Sequence, residues 1–177
     1  AGAGVGGHCI PKDPWLLAYG AKDKVQLHVI PAARKVNDSM PVHIAGLLES
    51  ALSKVGVSIA DAKIAVFGYA YLEESDDTRN SPSETLIKFL ESKGAAVKVH
   101  DPFVADFKLP LEEVVKGSDA IVIMVSHQVY RNLDLKFLKT SLKHPIIIDG
   151  RRAVDPKQAK SEGLSYYGIG FGHESEE

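Results

Sequence analysis

The chain of 177 residues carries 21 basic and 23 acidic side chains, a net charge of −2 with histidine neutral. Such a balance gives no electrostatic reason to expect nucleic acid or a membrane surface as partner, and no apolar run approaches the roughly 18 residues of a spanning helix. Hydrophobic residues at 45% and charged residues at 25% fit a globular domain with an appendage, and a single cysteine excludes an internal disulfide framework.

Residues 1–14 read as loop, rich in glycine and closed by Pro11 and Pro14, with Cys9 between. Residues 15–20 suit a short helical turn around Trp15, Leu16 and Leu17. A long helix is predicted from about Pro31 to Val55, with Pro31 in the first turn. Leu47, Leu48, Ala51, Leu52 and Val55 recur at helical spacing as an apolar stripe. Pro41 should kink or split that helix, and Gly56 is a stop signal. From Lys63 the pattern alternates. Strands are predicted at 64–70, 95–101, 120–126, 145–150 and 165–170, and helices at 81–92, 111–116, 135–142 and 156–162. Ser81-Pro82-Ser83-Glu84 has the form of a capping box with proline at the first helical position, and Gly94 ends that helix. The tail from His173 is polar and expected to fray.

The fold class is therefore α/β: a long central helix followed by a Rossmann-like, doubly wound parallel sheet. Right-handed crossovers bring every strand's carboxyl end to one edge. That edge collects Gly68–Arg79, Asp101-Pro102, Ser126-His127 and Asp149–Arg152, and open α/β sheets bind ligands there. Two regions are expected, 1–60 with the cysteine loop and central helix, and 61–177 with the sheet. Strand 64–67 is followed by Gly-Tyr-Ala-Tyr-Leu-Glu rather than the dinucleotide fingerprint, so this sheet is not an ordinary NAD site. The chain opens at Ala1 inside a glycine-rich segment, which leads to the expectation that preceding residues lie outside it. No secretory signal is present, which makes the cytoplasm the expected compartment.

The segment GVGGHCIPKDPW is the most informative stretch. Glycines before Cys9 let a substrate approach the backbone, and prolines stiffen the downstream side. A cation three residues on, Lys12, favours thiolate over thiol. Asp13 can orient a water or hold a neighbouring cation. These are the parts of a covalent cysteine site; a lone cysteine elsewhere is more often a small buried hydrophobe. One cysteine with scattered histidines does not make a structural zinc set.

GGHCIPKDP (6–14) resembles the catalytic signature Gly-Gly-x-Cys-x-Pro-x-Asp of nucleotide-sugar 6-dehydrogenases of the UDP-N-acetylmannosamine/UDP-glucose dehydrogenase family. ARKVNDSMP (33–41) is similar to that family's central-helix motif, DDTRNSP (76–82) to its Asp-Asp-x-Arg-x-Ser-Pro segment, and DGRR (149–152) to its substrate-arginine segment. The resemblance implies an enzyme oxidising a sugar C6 alcohol to a carboxylate with two NAD⁺ in succession, through a cysteine thiohemiacetal and thioester. It implies Cys9 as nucleophile, Asp13 as organiser of the hydrolytic water, Gly6 against the sugar, and Arg151 on the UDP-sugar. It also implies Lys12 and Arg79 on NAD carried mainly by an N-terminal domain absent from this chain, and a homodimer through the central helix. Arg34, Asn37 and Asp38 then read as interdomain or dimer contacts. Arg79 has a plainer reading as counter-ion to Asp76 and Asp77. The family's Gly-x-Ala-Phe-Lys is here GYAYL, with Leu72 in place of a lysine that contacts the nucleotide sugar. The histidine before the cysteine and the Ile-Pro after it favour UDP-N-acetyl-D-mannosamine as substrate. UDP-glucose and a non-catalytic nucleotide-sugar-binding or dimerisation module are the alternatives.

Overall fold

A computed structural model describes residues 2–171; the predicted frayed tail lies outside them. The helices are α1 Cys9–Ala21, α2 Val29–Lys54, α3 Pro82–Ser92, α4 Leu111–Val115, α5 Gln128–Arg131, α6 Leu135–Ser141 and α7 Pro156–Ser161. The strands are β1 Lys63–Phe67, β2 Ala96–His100, β3 Ala120–Ile123, β4 Ile146–Asp149 and β5 Ser165–Gly168. All pair in parallel in the order β2-β1-β3-β4-β5. The chain steps outward from β1 to β2, then crosses back to β3, which makes the β1/β3 boundary the topological switch point.

The sheet is buried on both faces, so β3 and β4 read as unbroken apolar runs. One face packs Ile64, Val66, Val122 and Ile148 against Leu86 and Leu90 of α3 and Ile44, Leu48 and Leu52 of α2. The other packs Phe67, Ile121, Ile123 and Ile147 against Val114, Tyr130, Leu138 and Ala159 from α4 to α7. The crossover helix α3 covers only part of the first face. The C-terminal half of α2 covers the rest, and so the apolar stripe that called for a partner meets its own sheet. Leu48, Ala51 and Leu52 are at most 1% exposed.

Three sequence expectations are corrected. Cys9 lies not in a loop but at the first position of α1, a helix that runs on through Pro11 and Pro14. Pro11 falls in the first turn, where amides have no intrahelical acceptor, so its missing N–H costs nothing there. Pro41 does not split α2 in two, since the helix is continuous from Val29 to Lys54. The capping box is half made: Ser81 Oγ accepts the Ser83 amide at 3.1 Å, but Glu84 pairs with Lys88 at 2.6 Å and the Ser81 amide goes to the Thr78 carbonyl.

Candidate active site

The glycine segment ahead of Cys9 docks on the carboxyl edge of the sheet. Ala3 N–H donates to the Gly150 carbonyl at 3.1 Å, and Gly7 N–H to the Arg79 carbonyl at 2.8 Å. Asn80 Nδ2 donates to the Gly7 carbonyl at 2.9 Å. Val5 exchanges a reciprocal pair with Asn37 of α2, N–H to Oδ1 at 2.8 Å and Nδ2 to carbonyl at 3.1 Å. Gly6 is required by this close docking, since a Cβ there would sit 2.4 Å from the Asn80 oxygen and 2.9 Å from Tyr71 Cβ. Its packing partner is therefore the chain itself, a reason the sequence did not reveal. Gly7 adopts φ 92° with the Tyr71 ring against it.

Cys9 is exposed. The helix changes its company. Residues three and four apart share a helix face, so Lys12 and Asp13 stand beside Cys9 rather than strung along a loop. Cys9 and Asp13 line one open, largely apolar cleft of about 500 Å³ with Ile10, Pro14, Leu17 and Ile30. The Lys12–Asp13 pair, 3.5 Å apart with both side chains half exposed, is worth at most about 1 kcal/mol and leaves both groups available.

Arg79 pairs with Asp77, Nε to Oδ1 at 2.9 Å and Nη2 to Oδ2 at 2.5 Å. Its hydrogen bonds hold the Asp77 carboxyl down at about 2. Asp77 in turn raises the guanidinium above its usual range, with smaller contributions from Tyr71 and Cys9, which brings Arg79 into the electrical neighbourhood of the thiol. Arg151, just beyond Gly150, folds back onto the protein. Arg151 Nε donates to the Met124 carbonyl at 2.8 Å and Nη2 to the Gly4 carbonyl at 2.7 Å. The guanidinium pairs with neither Asp149 nor Asp155; burial lowers its pKa. It ties the ends of β3 and β4 to the glycine segment.

The sequence reading missed one buried network at the switch point. Asp101 Oδ2 accepts the amides of Tyr69 and Ala70 at 2.7 and 2.9 Å, and Oδ1 those of Phe103 and Val104 at 2.9 and 3.3 Å. His127 Nε2 lies 3.2 Å from Asp101 Oδ2 while its Nδ1 accepts the Glu74 amide at 3.0 Å. That pairing fixes the neutral tautomer with hydrogen on Nε2. Burial pushes Asp101 up, but His127 and the amides of Ala70, Phe103 and Tyr69 outweigh it and hold the carboxyl well below the usual carboxylate range. The signal was present: aspartate and histidine stand immediately beyond two buried strands.

The network also settles how a dinucleotide fits. In a dinucleotide-binding sheet the amides after β1 face a pyrophosphate. Here the amides of Tyr69 and Ala70 are taken by Asp101, so the β1 turn does not fit that group. Lys12 and Arg79 are the cations the chain offers beside Cys9. Leu72, at the position of the family's lysine, is 52% exposed and offers a substrate no charge. Among the described residues, no group of three His, Cys, Asp or Glu side chains is placed to hold a metal ion, and no helix is long and apolar enough to cross a membrane.

A parallel sheet of this order, with a glycine segment leading into a cysteine-bearing helix docked at its carboxyl edge, defines a Rossmann-like nucleotide-binding module. The UDP-binding domain of the UDP-glucose/GDP-mannose dehydrogenase family matches residues 65–156, and the central domain of the same family matches residues 1–39. The chain belongs to that family. It is 42% identical over 171 residues to the UDP-N-acetyl-D-mannosamine dehydrogenase of Pyrococcus horikoshii, covering 97% of this chain and 40% of that one. It is 30% identical over 182 residues to the UDP-glucose 6-dehydrogenase TuaD of Bacillus subtilis, covering 96% and 39%. The crystal structure of an NDP-N-acetyl-D-galactosaminuronic acid dehydrogenase from Methanosarcina mazei superposes with TM-score 0.89 at 39% identity, over 96% of this chain and 39% of that one. The chain thus spans about two fifths of the length of these relatives.

Proposed function

We propose that this chain is the cysteine-bearing, UDP-sugar-binding part of an NAD-dependent dehydrogenase that oxidises the C6 alcohol of UDP-N-acetyl-D-mannosamine to the uronic acid. The observation that carries the proposal is Cys9: exposed, first in its helix, and bordering one cleft with Asp13. The choice of sugar is supported by 42% identity to a UDP-N-acetyl-D-mannosamine dehydrogenase against 30% to a UDP-glucose enzyme. A greater kcat/KM for UDP-glucose would move the assignment to that sugar.

The nicotinamide cofactor, two molecules in succession, would accept one hydride each; Lys12 and Arg79 are the cations of this chain that would contact it, and its pyrophosphate cradle would lie outside these residues. Once the C6 alcohol has given up a hydride and its hydroxyl proton, the Cys9 sulfur, having released its own proton, attacks the resulting aldehyde, forming the C–S bond as the carbonyl electron pair moves to oxygen. That oxygen then takes a proton. The free amides of the first turn of α1 lie where a helix favours negative charge. Loss of a hydride from C6 of the adduct and of the proton from its oxygen leaves a thioester on Cys9. Asp13 takes a proton from water as the water attacks that carbon, and the C–S bond breaks to return Cys9. Gly6, packed against Asn80 and Tyr71, serves the sugar site only by holding its segment in place, and Arg151 attracts the diphosphate from the end of β4. The partner subunit of a homodimer meets α2 through its N-terminal half, where Val29 and Val36, seven residues apart, are 80% and 62% exposed; a monomer in sedimentation of the full-length enzyme would exclude this. Cys9→Ser in that enzyme should abolish uronic acid formation, and near-normal turnover would remove Cys9 from the mechanism.

A second reading has its own support, the Asp101 carboxylate occupying the amides after β1. Alone, the chain is a nucleotide-sugar-binding module without dehydrogenase activity. Submicromolar NAD⁺ binding in calorimetry, about −8 kcal/mol or stronger, would contradict it.

A further inference from the structure

Helix α1 buries none of its residues, and its N-cap residue His8 makes no side-chain capping bond. Neither core packing nor a cap therefore fixes the place of Cys9. That leaves the segment behind it, and glycine carries no side chain with which to hold a conformation. Gly4 and Gly7 adopt φ 111° and 92°, angles that glycine reaches without strain and that no side chain of its own maintains. We propose that Asn37 of α2 and Asn80 of the β1–α3 connection are positioning residues that set the Cys9 sulfur for reaction by clamping the backbone of its glycine segment. The proposal rests on the reading of Cys9 as nucleophile.

Asn37 acts as one rung of a β-ladder, accepting from Val5 N–H at 2.8 Å and donating to its carbonyl at 3.1 Å. The amide's orientation is determined. Its Nδ2 also lies 3.2 Å from Asp38 Oδ1, and a carboxylate only accepts, so Oδ1 must face Val5. Asp38 is held in turn by the buried Arg34. Pro41 contributes as well. Lacking an N–H, it leaves the Asn37 carbonyl without its usual donor four residues on, and the glycine segment crosses there, with that oxygen 3.3 Å from where a Gly4 Cβ would stand. Asn80 grips the other end. Its Nδ2 meets the Gly7 carbonyl at 2.9 Å, two residues before Cys9. Asn80 itself holds φ 49°, a conformation asparagine tolerates better than most residues and one that persists only where surroundings impose it. The two clamps bracket Gly6 and leave the segment one position on the protein, with the start of α1 fixed at its end.

Misplacement of a reacting group by about 1 Å costs on the order of 100-fold in rate. In the full-length enzyme, Asn37→Ala and Asn80→Ala should each lower kcat by about tenfold or more while KM for the sugar stays within about threefold, the pattern of a lost transition-state alignment. Cys9 is the only cysteine of these 177 residues, so a nitroxide attached to it, with any cysteine elsewhere in the full-length enzyme replaced by serine, reports its order directly, and its spectrum should narrow in both alanine variants. Asn37→Asp keeps the acceptor for Val5 N–H but repels its carbonyl; it should fall between wild type and Asn37→Ala in both readouts, and it carries the test if the alanine variant does not fold. Unchanged kcat and nitroxide spectra would overturn the proposal. So would a loss of kcat that follows a lowered melting temperature with the label as ordered as in wild type. Turnover by Cys9→Ser combined with a narrowed spectrum in Asn37→Ala would sink the nucleophile reading, and the catalytic purpose of the clamp with it, while leaving the clamp as a structural fact.

Discussion

Replacing Arg151 with methionine separates two roles that the sequence alone could not. The guanidinium donates to the carbonyls of Met124 and Gly4 at 2.8 and 2.7 Å, both on buried residues. A hydrogen bond to a charged group contributes about 1.5–3 kcal/mol, so the two together contribute roughly 3–6 kcal/mol. Against this stands the desolvation that lowers the arginine's pKa, and methionine keeps the packing of the aliphatic stem. A net loss of about 2–4 kcal/mol remains, and for a chain of this size each kcal/mol moves Tm by roughly 2–4 °C. Arg151→Met should therefore lower Tm by about 4–16 °C in thermal denaturation followed by circular dichroism. Amide exchange should quicken at Ala3 and Val5, because the segment loses its tie at Gly4. Arg151→Lys should fall between, since an ammonium lacks the planar fork that serves two carbonyls. A Tm within about 2 °C of wild type, with unchanged exchange at Ala3 and Val5, would refute the structural tie. If KM for the UDP-sugar then rose about tenfold in the full-length enzyme, worth roughly 1.4 kcal/mol, Arg151 would be a substrate anchor alone.

Asp101→Asn should destabilise by about 3–5 kcal/mol, because an amide NH₂ must face two of the four backbone donors that a carboxylate satisfies. Its folded pKa is depressed from 3.8, so its stabilisation is complete above the unfolded value and lost as pH falls below about 4. Asp77, held at about 2, titrates in the same window, so the measurement is the difference in urea unfolding between wild type and Asp101→Asn from pH 6 to pH 2. A constant difference across that range would count against the assignment. Gly6→Ala should cost about 1–3 kcal/mol through overlap with the Asn80 carbonyl. Gly46→Ala, on α2 with nothing within 4 Å of the new Cβ, should instead stabilise by about 0.5–1 kcal/mol; equal effects of the two in thermal melts would mean the glycine segment is not docked.

The architecture was legible because it rests on local signals. Short, β-branched apolar runs such as Ile121–Ile123 and Ile146–Ile148, bounded by turn residues, suit strands buried on both faces, and Ser81-Pro82 and Gly94 mark the ends of α3. Alternating elements with right-handed crossovers then dictate which residues gather at one edge. The cysteine and its glycines announced a site by composition. What tertiary structure decided is how that site is held, and the reason is separation along the chain. Arg151 finds its acceptor 147 residues away at Gly4, and Asn37 finds Val5 at a separation of 32. His127 reaches Asp101 across 26 residues, from one strand end to another. No periodicity encodes such pairs. Pro11 and Pro14 argued for loop because sequence weighs each residue's average preference; Pro11 in the first turn sacrifices no helical hydrogen bond, whereas Pro14 stands inside α1 at the loss of one. The same limit applied to the stripe on α2: its period revealed an apolar face, and only the packed sheet could supply what covers it.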